Sequence, residues 1–183
     1  GILELRQEIC TYYKQRFGLE YTPANIIVGS GAKPCIYEAL AAIVDPGDEV
    51  IVLAPTWVSY IEQIQLVDGK VIVVETQNDG FTPSAEKISR AVTDRTVAIL
   101  LNSPSNPTGV MYDKDTIKKI AEIAMKNDIW LIWDEIYEQL AYGQAKHYNP
   151  LQLIPELASR TIIINGVSKA YAMTGWRIGY VIG

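Results

Sequence analysis

Residues 97–138, VAILLNSPSNPTGVMYDKDTIKKIAEIAMKNDIWLIWDEIYE, read as one strand–helix–strand unit. Val97–Leu101 is a continuous apolar run that stops at a loop rich in Pro, Asn and Gly, residues 102–109. Lys114–Lys126 has helical periodicity, and Ile129–Trp133 is a second apolar run, ending at Asp134. Neither run alternates apolar with polar residues, which is the pattern of strands covered on both faces. Two such strands joined through a helix are expected to lie parallel in one sheet.

The same alternation extends in both directions. Upstream, helices are expected over Ile2–Phe17, Ala32–Val44, Thr56–Val67 and Pro83–Val92. Strands are expected at Ile26–Val28, Val50–Leu53 and Val71–Val74, with turns at Gly29-Ser30-Gly31 and Asp45-Pro46-Gly47-Asp48. Downstream, Thr161–Asn165 and Ile178–Ile182 are two further strands. The predicted architecture is α/β in three layers, a mostly parallel sheet of about seven strands with helices on both faces. The segment Gln144–Pro155 reads as a mobile surface stretch.

Composition removes several function classes. The chain has 183 residues, and 16 Lys and Arg against 21 Asp and Glu leave a formal charge of −5. That balance argues against nucleic acid or an anionic membrane as the main partner. One histidine, His147, and two distant cysteines, Cys10 and Cys35, support neither a zinc site nor a disulfide scaffold, so no metal is expected. No apolar run reaches the roughly 18 residues of a membrane span. The charged stretch after Gly1 does not read as a signal peptide, and a cytoplasmic location with reduced thiols is expected.

In open α/β sheets, ligands bind beyond the carboxyl ends of the strands. Four polar clusters fall there: Gly29–Lys33, Asn102–Gly109, Asp134–Tyr137 and Ser168-Lys169. Some familiar readings fail. The third glycine of a dinucleotide fingerprint is replaced by Pro34, and the lysine spacing of a P-loop is absent. Gly166-Val167-Ser168 approaches a nucleophile elbow, but no histidine follows Ser168 to serve as its base. What remains is chemically suggestive. Gly31 and the Ala32 and Lys33 amides open a helix whose N-terminus suits an anion, although an ordinary tight turn fits equally well. The prolines around Asn106 hold its amide in one place. Asp134 at the end of an apolar strand needs a partner or a capping role, and Tyr137 can share its pocket. Lys169, after an apolar strand, is expected to be partly desolvated, which frees its amine as a nucleophile. The planar fork of Arg177 suits phosphate.

Taken together, NSPSNPTG (102–109), DEIYE (134–138) and SKAYAMTGWRIGY (168–180), with GSGAK and APTWVSY, resemble the fold-type I aminotransferases of classes I and II, over the whole chain. The resemblance implies a pyridoxal 5′-phosphate enzyme that moves an amino group between an amino acid and a 2-oxo acid. It implies that Lys169 holds the cofactor as a Schiff base and shuttles a proton. Asp134 would pair with the pyridine nitrogen, Tyr137 and Asn106 would donate to the ring oxygen, and Trp57 would stack on the ring. Gly31, Ala32, Lys33, Ser168 and Arg177 would surround the phosphate, with Lys33 also able to reach an acidic substrate such as aspartate. Gly166 departs from the serine many relatives use there.

Family members are longer, so residues 1–183 correspond to the cofactor-binding large domain. The N-terminal arm and the C-terminal domain with the α-carboxylate arginine are expected to lie outside it. The chain alone is therefore expected to be weakly active or inactive. A homodimer or other self-association is expected, with Trp57, Tyr60, Trp176 and the first helix as exposed apolar surface. A non-catalytic cofactor-binding domain and a β-lyase remain the alternatives.

Overall fold

A computed structural model describes all 183 residues. The helices are α1 (Leu3–Phe17), α2 (Ala32–Ile43), α3 (Val58–Leu66), α4 (Ala85–Ala91), α5 (Lys114–Lys126), α6 (Pro150–Leu153) and α7 (Val167–Ala170). The strands are β1 (Ile26–Gly29), β2 (Glu49–Ala54), β3 (Lys70–Glu75), β4 (Thr96–Asn102), β5 (Trp130–Asp134), β6 (Thr161–Gly166) and β7 (Gly179–Ile182). They form one seven-stranded sheet in the order β1-β7-β6-β5-β4-β2-β3. Strands β2 to β6 pair in parallel, and β7 runs antiparallel to both β1 and β6. The expected mostly parallel sheet is observed.

Side chains alternate across this sheet, as strand geometry requires. Ile51, Leu53, Ile99, Leu101, Leu131, Trp133 and Ile163 pack on one face, beneath α1, α4, α5 and α6. Val50, Val52, Ala98, Leu100, Ile132, Ile162 and Ile164 pack on the other, beneath α2 and α3. Burial on both faces is why these strands read as unbroken apolar runs. In the strand–helix–strand unit, Asp113 caps α5 by accepting from the Thr116 amide at 2.7 Å. Ile117, Ile120, Ala121 and Ala124 of α5 then face the sheet.

Two sequence expectations need correction. Residues 144–155 are not simply a surface stretch. Residues 144–146 are exposed, but His147, Asn149, Pro150 and Leu151 are buried. Polar contacts with Glu135 hold His147 and Asn149 there. Tyr60 is also not an exposed aromatic. It is 1% exposed and packs from α3 against the sheet. Trp176 is exposed as expected, as are Ile2 and Leu3 at the start of α1.

Candidate active site

The sheet topology gathers chemistry at one edge. The carboxyl ends of β1, β4, β5 and β6 stop at Gly29, Asn102, Asp134 and Gly166. Strand β7 begins there, because Gly179 pairs with both Gly29 and Gly166. Arg177, just before β7, therefore arrives beside the loop that opens α2. A cavity of about 350 Å³ lies at this edge, within the range of small-molecule sites. Ala32, Lys33, Trp57, Asn106, Asp134, Tyr137, Ser168, Lys169 and Arg177 all line it. Gly31 is the one expected residue that does not line it. Its role is to leave room.

Asp134 sits within this cavity, 2% exposed. Its Oδ2 accepts from the Tyr60 hydroxyl at 2.5 Å, and its Oδ1 accepts from the Ile136 amide at 3.0 Å. Burial pushes the carboxyl up to about 6, with the Glu135 charge adding to the rise and these two donors opposing it. The Tyr60 hydroxyl is itself held well above its ordinary value by burial and by Asp134, so it stays a donor. Asp134 makes no ion pair. A buried carboxylate with only neutral donors is under-partnered, and a cation or a protonated heterocycle would complete it.

Asn102 aligns the loop beyond β4 with this carboxylate. It stands opposite Asp134 in the strand register. Its Nδ2 donates to the Asp134 carbonyl at 2.9 Å, and its Oδ1 accepts from the Asn106 amide at 2.8 Å. Asn106 is thereby tied to β5 and set beside Tyr137. Burial and the Asp134 charge raise the Tyr137 hydroxyl, and a hydrogen bond with Asn106 opposes them.

Cations and bare backbone occupy the mouth. The Lys33 ammonium lies 4.9 Å from the Trp57 ring centroid, and that of Lys169 lies 5.7 Å from the Tyr137 ring centroid. Lys169 is exposed, not partly desolvated as expected. It stands on the single turn α7, beyond the end of β6, and so clears the sheet. Arg177 Nη1 donates to the Thr174 carbonyl at 2.9 Å. A Cβ on Gly31 would fall 2.2 Å from Arg177 Nη2, and φ there is +96°. Only glycine lets the guanidinium reach the N-terminus of α2, where free amides and a cation together suit an oxyanion. Gly166 also has a physical cause. A Cβ there would lie 2.7 Å from the Ile178 carbonyl and 3.0 Å from Gly179 Cα, so the chain entering β7 leaves no room for the serine that the resemblance implied.

Tyr60, Asn102, Ile136 and Thr174 also line the cavity, though they were not singled out as site residues. Tyr60 stands three residues after Trp57 in APTWVSY, but Trp57 is the extended residue before α3, so helical spacing gave no sign that both face the cavity. Behind the cavity, on the opposite face of the sheet, Glu135 is fully buried. It accepts from Tyr13 at 2.6 Å, Trp133 Nε1 at 3.0 Å and Asn149 Nδ2 at 3.1 Å, and pairs with His147 Nε2 at 2.9 Å. No group of three His, Cys, Asp or Glu is arranged to hold a metal ion. No helix is long and apolar enough to cross a membrane.

Comparison with known proteins gives a consistent picture. The sequence profile described as "Aminotransferase class I and II" matches residues 1–183. The chain is 48% identical to a probable aspartate/prephenate aminotransferase of Thermus aquaticus and 46% identical to an aspartate aminotransferase of Bacillus subtilis. Each match covers all of this chain and 47% of the relative, so the chain spans about half the length of these curated relatives. Among solved structures, an aspartate aminotransferase from Thermus thermophilus with maleate superposes with a TM-score of 0.94 at 46% identity. That match covers all of this chain and 47% of the other.

Proposed function

The chain belongs to the aminotransferase class I and II family, and from that premise we propose that its cavity binds pyridoxal 5′-phosphate for amino group transfer between an acidic amino acid and a 2-oxo acid. On this reading, residues 1–183 are the cofactor-binding domain of the enzyme. The observation that carries it is Asp134, a buried carboxylate without a cationic partner, sharing one cavity with the Lys169 amine. The rest of the cavity fits the same group. Its bare Gly31 backbone, its α2 amides and Arg177 match a phosphate, and Trp57 offers a flat apolar wall.

Bound there, the cofactor supplies an electron sink for the carbanion left when an amino acid loses its α-proton. The protein's share is holding and proton transfer. Asp134 would accept the pyridinium N–H and keep that proton on the ring. Its raised carboxyl and buried surroundings strengthen a charge-assisted bond. Asn106 and Tyr137 would donate to the ring oxygen. The Ala32 and Lys33 amides, Ser168 and Arg177 would hold the phosphate. Lys169 would hold the aldehyde carbon covalently at rest, then, once released, carry a proton on Nζ as general base and acid. Its place on the rim leaves the amine free to move.

Lys33 supports an acidic substrate, since its ammonium stands at the mouth without an ion pair. The relatives named for aspartate, and the related structure with maleate, point the same way. The free thiols of Cys10 and Cys35 support a cytoplasmic location. Exposed Ile2, Leu3 and Trp176 support self-association, which sedimentation velocity tests, with a clean monomer counting against it.

The deciding experiment is a visible absorption titration with pyridoxal phosphate, comparing wild type with Lys169→Ala. A saturable shift of the cofactor's visible absorption away from that of the free cofactor is expected in the wild type and absent from the variant. No shift in either protein overturns the proposal. In the loaded chain, transfer of the amino group of aspartate to 2-oxoglutarate is expected to be slow at most, because the chain spans about half of its relatives' length. With a cysteine S-conjugate, release of thiol, pyruvate and ammonia without amino transfer would reassign the chemistry to β-elimination.

A further inference from the structure

We propose that Tyr13, Glu135 and Asn165 form a positioning relay on the reverse face of the sheet that holds the Asp134 turn and the Lys169 turn in register. This rests on the function proposed above only for what the two turns do, not for the relay itself.

Strand alternation sends Asp134 toward the cavity and Glu135 away from it. The Glu135 amide donates to the Ile164 carbonyl of β6 at 3.0 Å, and its carboxylate is taken up by groups from distant segments. Tyr13 of α1 is the hub. Its hydroxyl donates to Glu135 Oε1 at 2.6 Å and accepts from Asn165 Nδ2 at 3.2 Å. Asn165 Oδ1 in turn accepts from the Gly166 amide at 2.7 Å. Gly166 is the residue from which α7 starts, and α7 carries Ser168 and Lys169.

One hydroxyl thus joins the end of β5 to the end of β6 where both strands leave the sheet. The backbone ladder between β5 and β6 ends with Asp134↔Ile164 and the Glu135 amide on Ile164, and beyond it Asn165 and Gly166 pair only with β7, so the Tyr13 side chain is the link that ties the two strand ends directly to each other. Every member is buried, where a hydrogen bond is not exchanged for water and a missing partner is costly. Burial, with the Glu135 carboxylate alongside, keeps the Tyr13 hydroxyl protonated and therefore a donor. The Tyr13 ring is held independently by Phe17, Tyr21 and Tyr180, at centroid distances of 5.3, 5.9 and 6.3 Å. Tyr13→Phe therefore removes the relay and spares the core.

The test uses Tyr13→Phe, Asn165→Leu and the double variant, with two readouts. The first needs no cofactor: amide hydrogen exchange at Gly166 and Tyr171, compared with the amides of α5. Exchange about tenfold faster at the first two and unchanged in α5 is expected, as for a local rather than a global opening. The second is the dissociation constant for pyridoxal phosphate, expected to rise about tenfold. That is the lower end of what outer hydrogen-bond partners contribute at metal sites. The double variant should lose no more than the worse single one, since both break the same chain of bonds. Unchanged exchange at Gly166 overturns the relay whether or not the protein takes up the cofactor. Faster exchange with an unchanged dissociation constant reduces these residues to a structural role, and also overturns it. A wild type that binds no pyridoxal phosphate sinks the proposed function instead, and the exchange data still decide whether the relay exists.

Discussion

Asp134 and Glu135 are adjacent in the chain, both buried, and almost opposite in circumstance. Glu135 is surrounded by partners from α1, β5 and the segment after it: Tyr13, Trp133, His147 and Asn149 all reach its carboxylate. Asp134 has one hydroxyl and one amide, and otherwise faces a cavity. Proteins rarely bury a carboxylate, and when they do they satisfy it. Glu135 is satisfied by the fold, whereas Asp134 is left short. The difference separates a carboxylate whose partners all come from the fold from one that faces the candidate site.

The contrast can be broken by mutation, and the largest effect is expected on the saturated side. Glu135→Ala strands several buried donors at once and should cost about 3–5 kcal/mol in urea unfolding. A loss below about 1 kcal/mol would mean that the network is not holding the fold.

Asp134→Asn should behave in the other way. At pH 7 it should unfold no more easily than wild type, yet bind pyridoxal phosphate about 2 kcal/mol more weakly. Its pH signature follows from the raised carboxyl. With a folded value of about 6 and an unfolded value near the usual ~3.9, the native state holds the extra proton between those limits. Wild-type stability from this group is therefore fully present below about pH 4 and lost as pH rises toward about 6. The slope is at most about 1.4 kcal/mol per pH unit. Urea midpoints measured from pH 4 to 7 should show this fall in wild type relative to the variant. Parallel curves would remove Asp134 from its assigned state.

The smallest effect sharpens the comparison. Tyr60→Phe removes the one side-chain donor to Asp134 and should cost about 1 kcal/mol. It should also move the Asp134 carboxyl above about 6, because the hydroxyl favours the ionised form. Carboxyl carbon NMR titration reads that shift directly, and an unmoved midpoint would show that Tyr60 is only packing.

Much of the fold was legible because burial on both sheet faces writes itself as unbroken apolar runs, as at Val97–Leu101 and Thr161–Asn165. Most of the site was legible too, since strand ends in a parallel sheet converge and the odd polar residues fall there. Tyr60 was misread because a lone aromatic on a helix carries no mark of which way it faces. It meets Asp134 across 74 residues of chain, so only the packing of α3 decides the contact. The segment around His147 looked loose because its Pro and Asn residues signal turns. Its order comes from Glu135, whose side chain gave no local sign of being a hub. Lys169 follows an apolar strand, yet one added turn of helix carries it into solvent.

By itself, the sequence determined the strand–helix alternation, the family and the set of residues at the strand ends. These depend on local periodicity and on motifs read in order. Only the tertiary structure decided which of two neighbouring carboxylates faces the cavity and which is saturated, why position 166 has no room for a side chain, and that Tyr13 joins two strand ends. Those are facts of partners far apart in the chain, and a hydrogen bond exists only once folding has brought its donor and acceptor within about 3 Å.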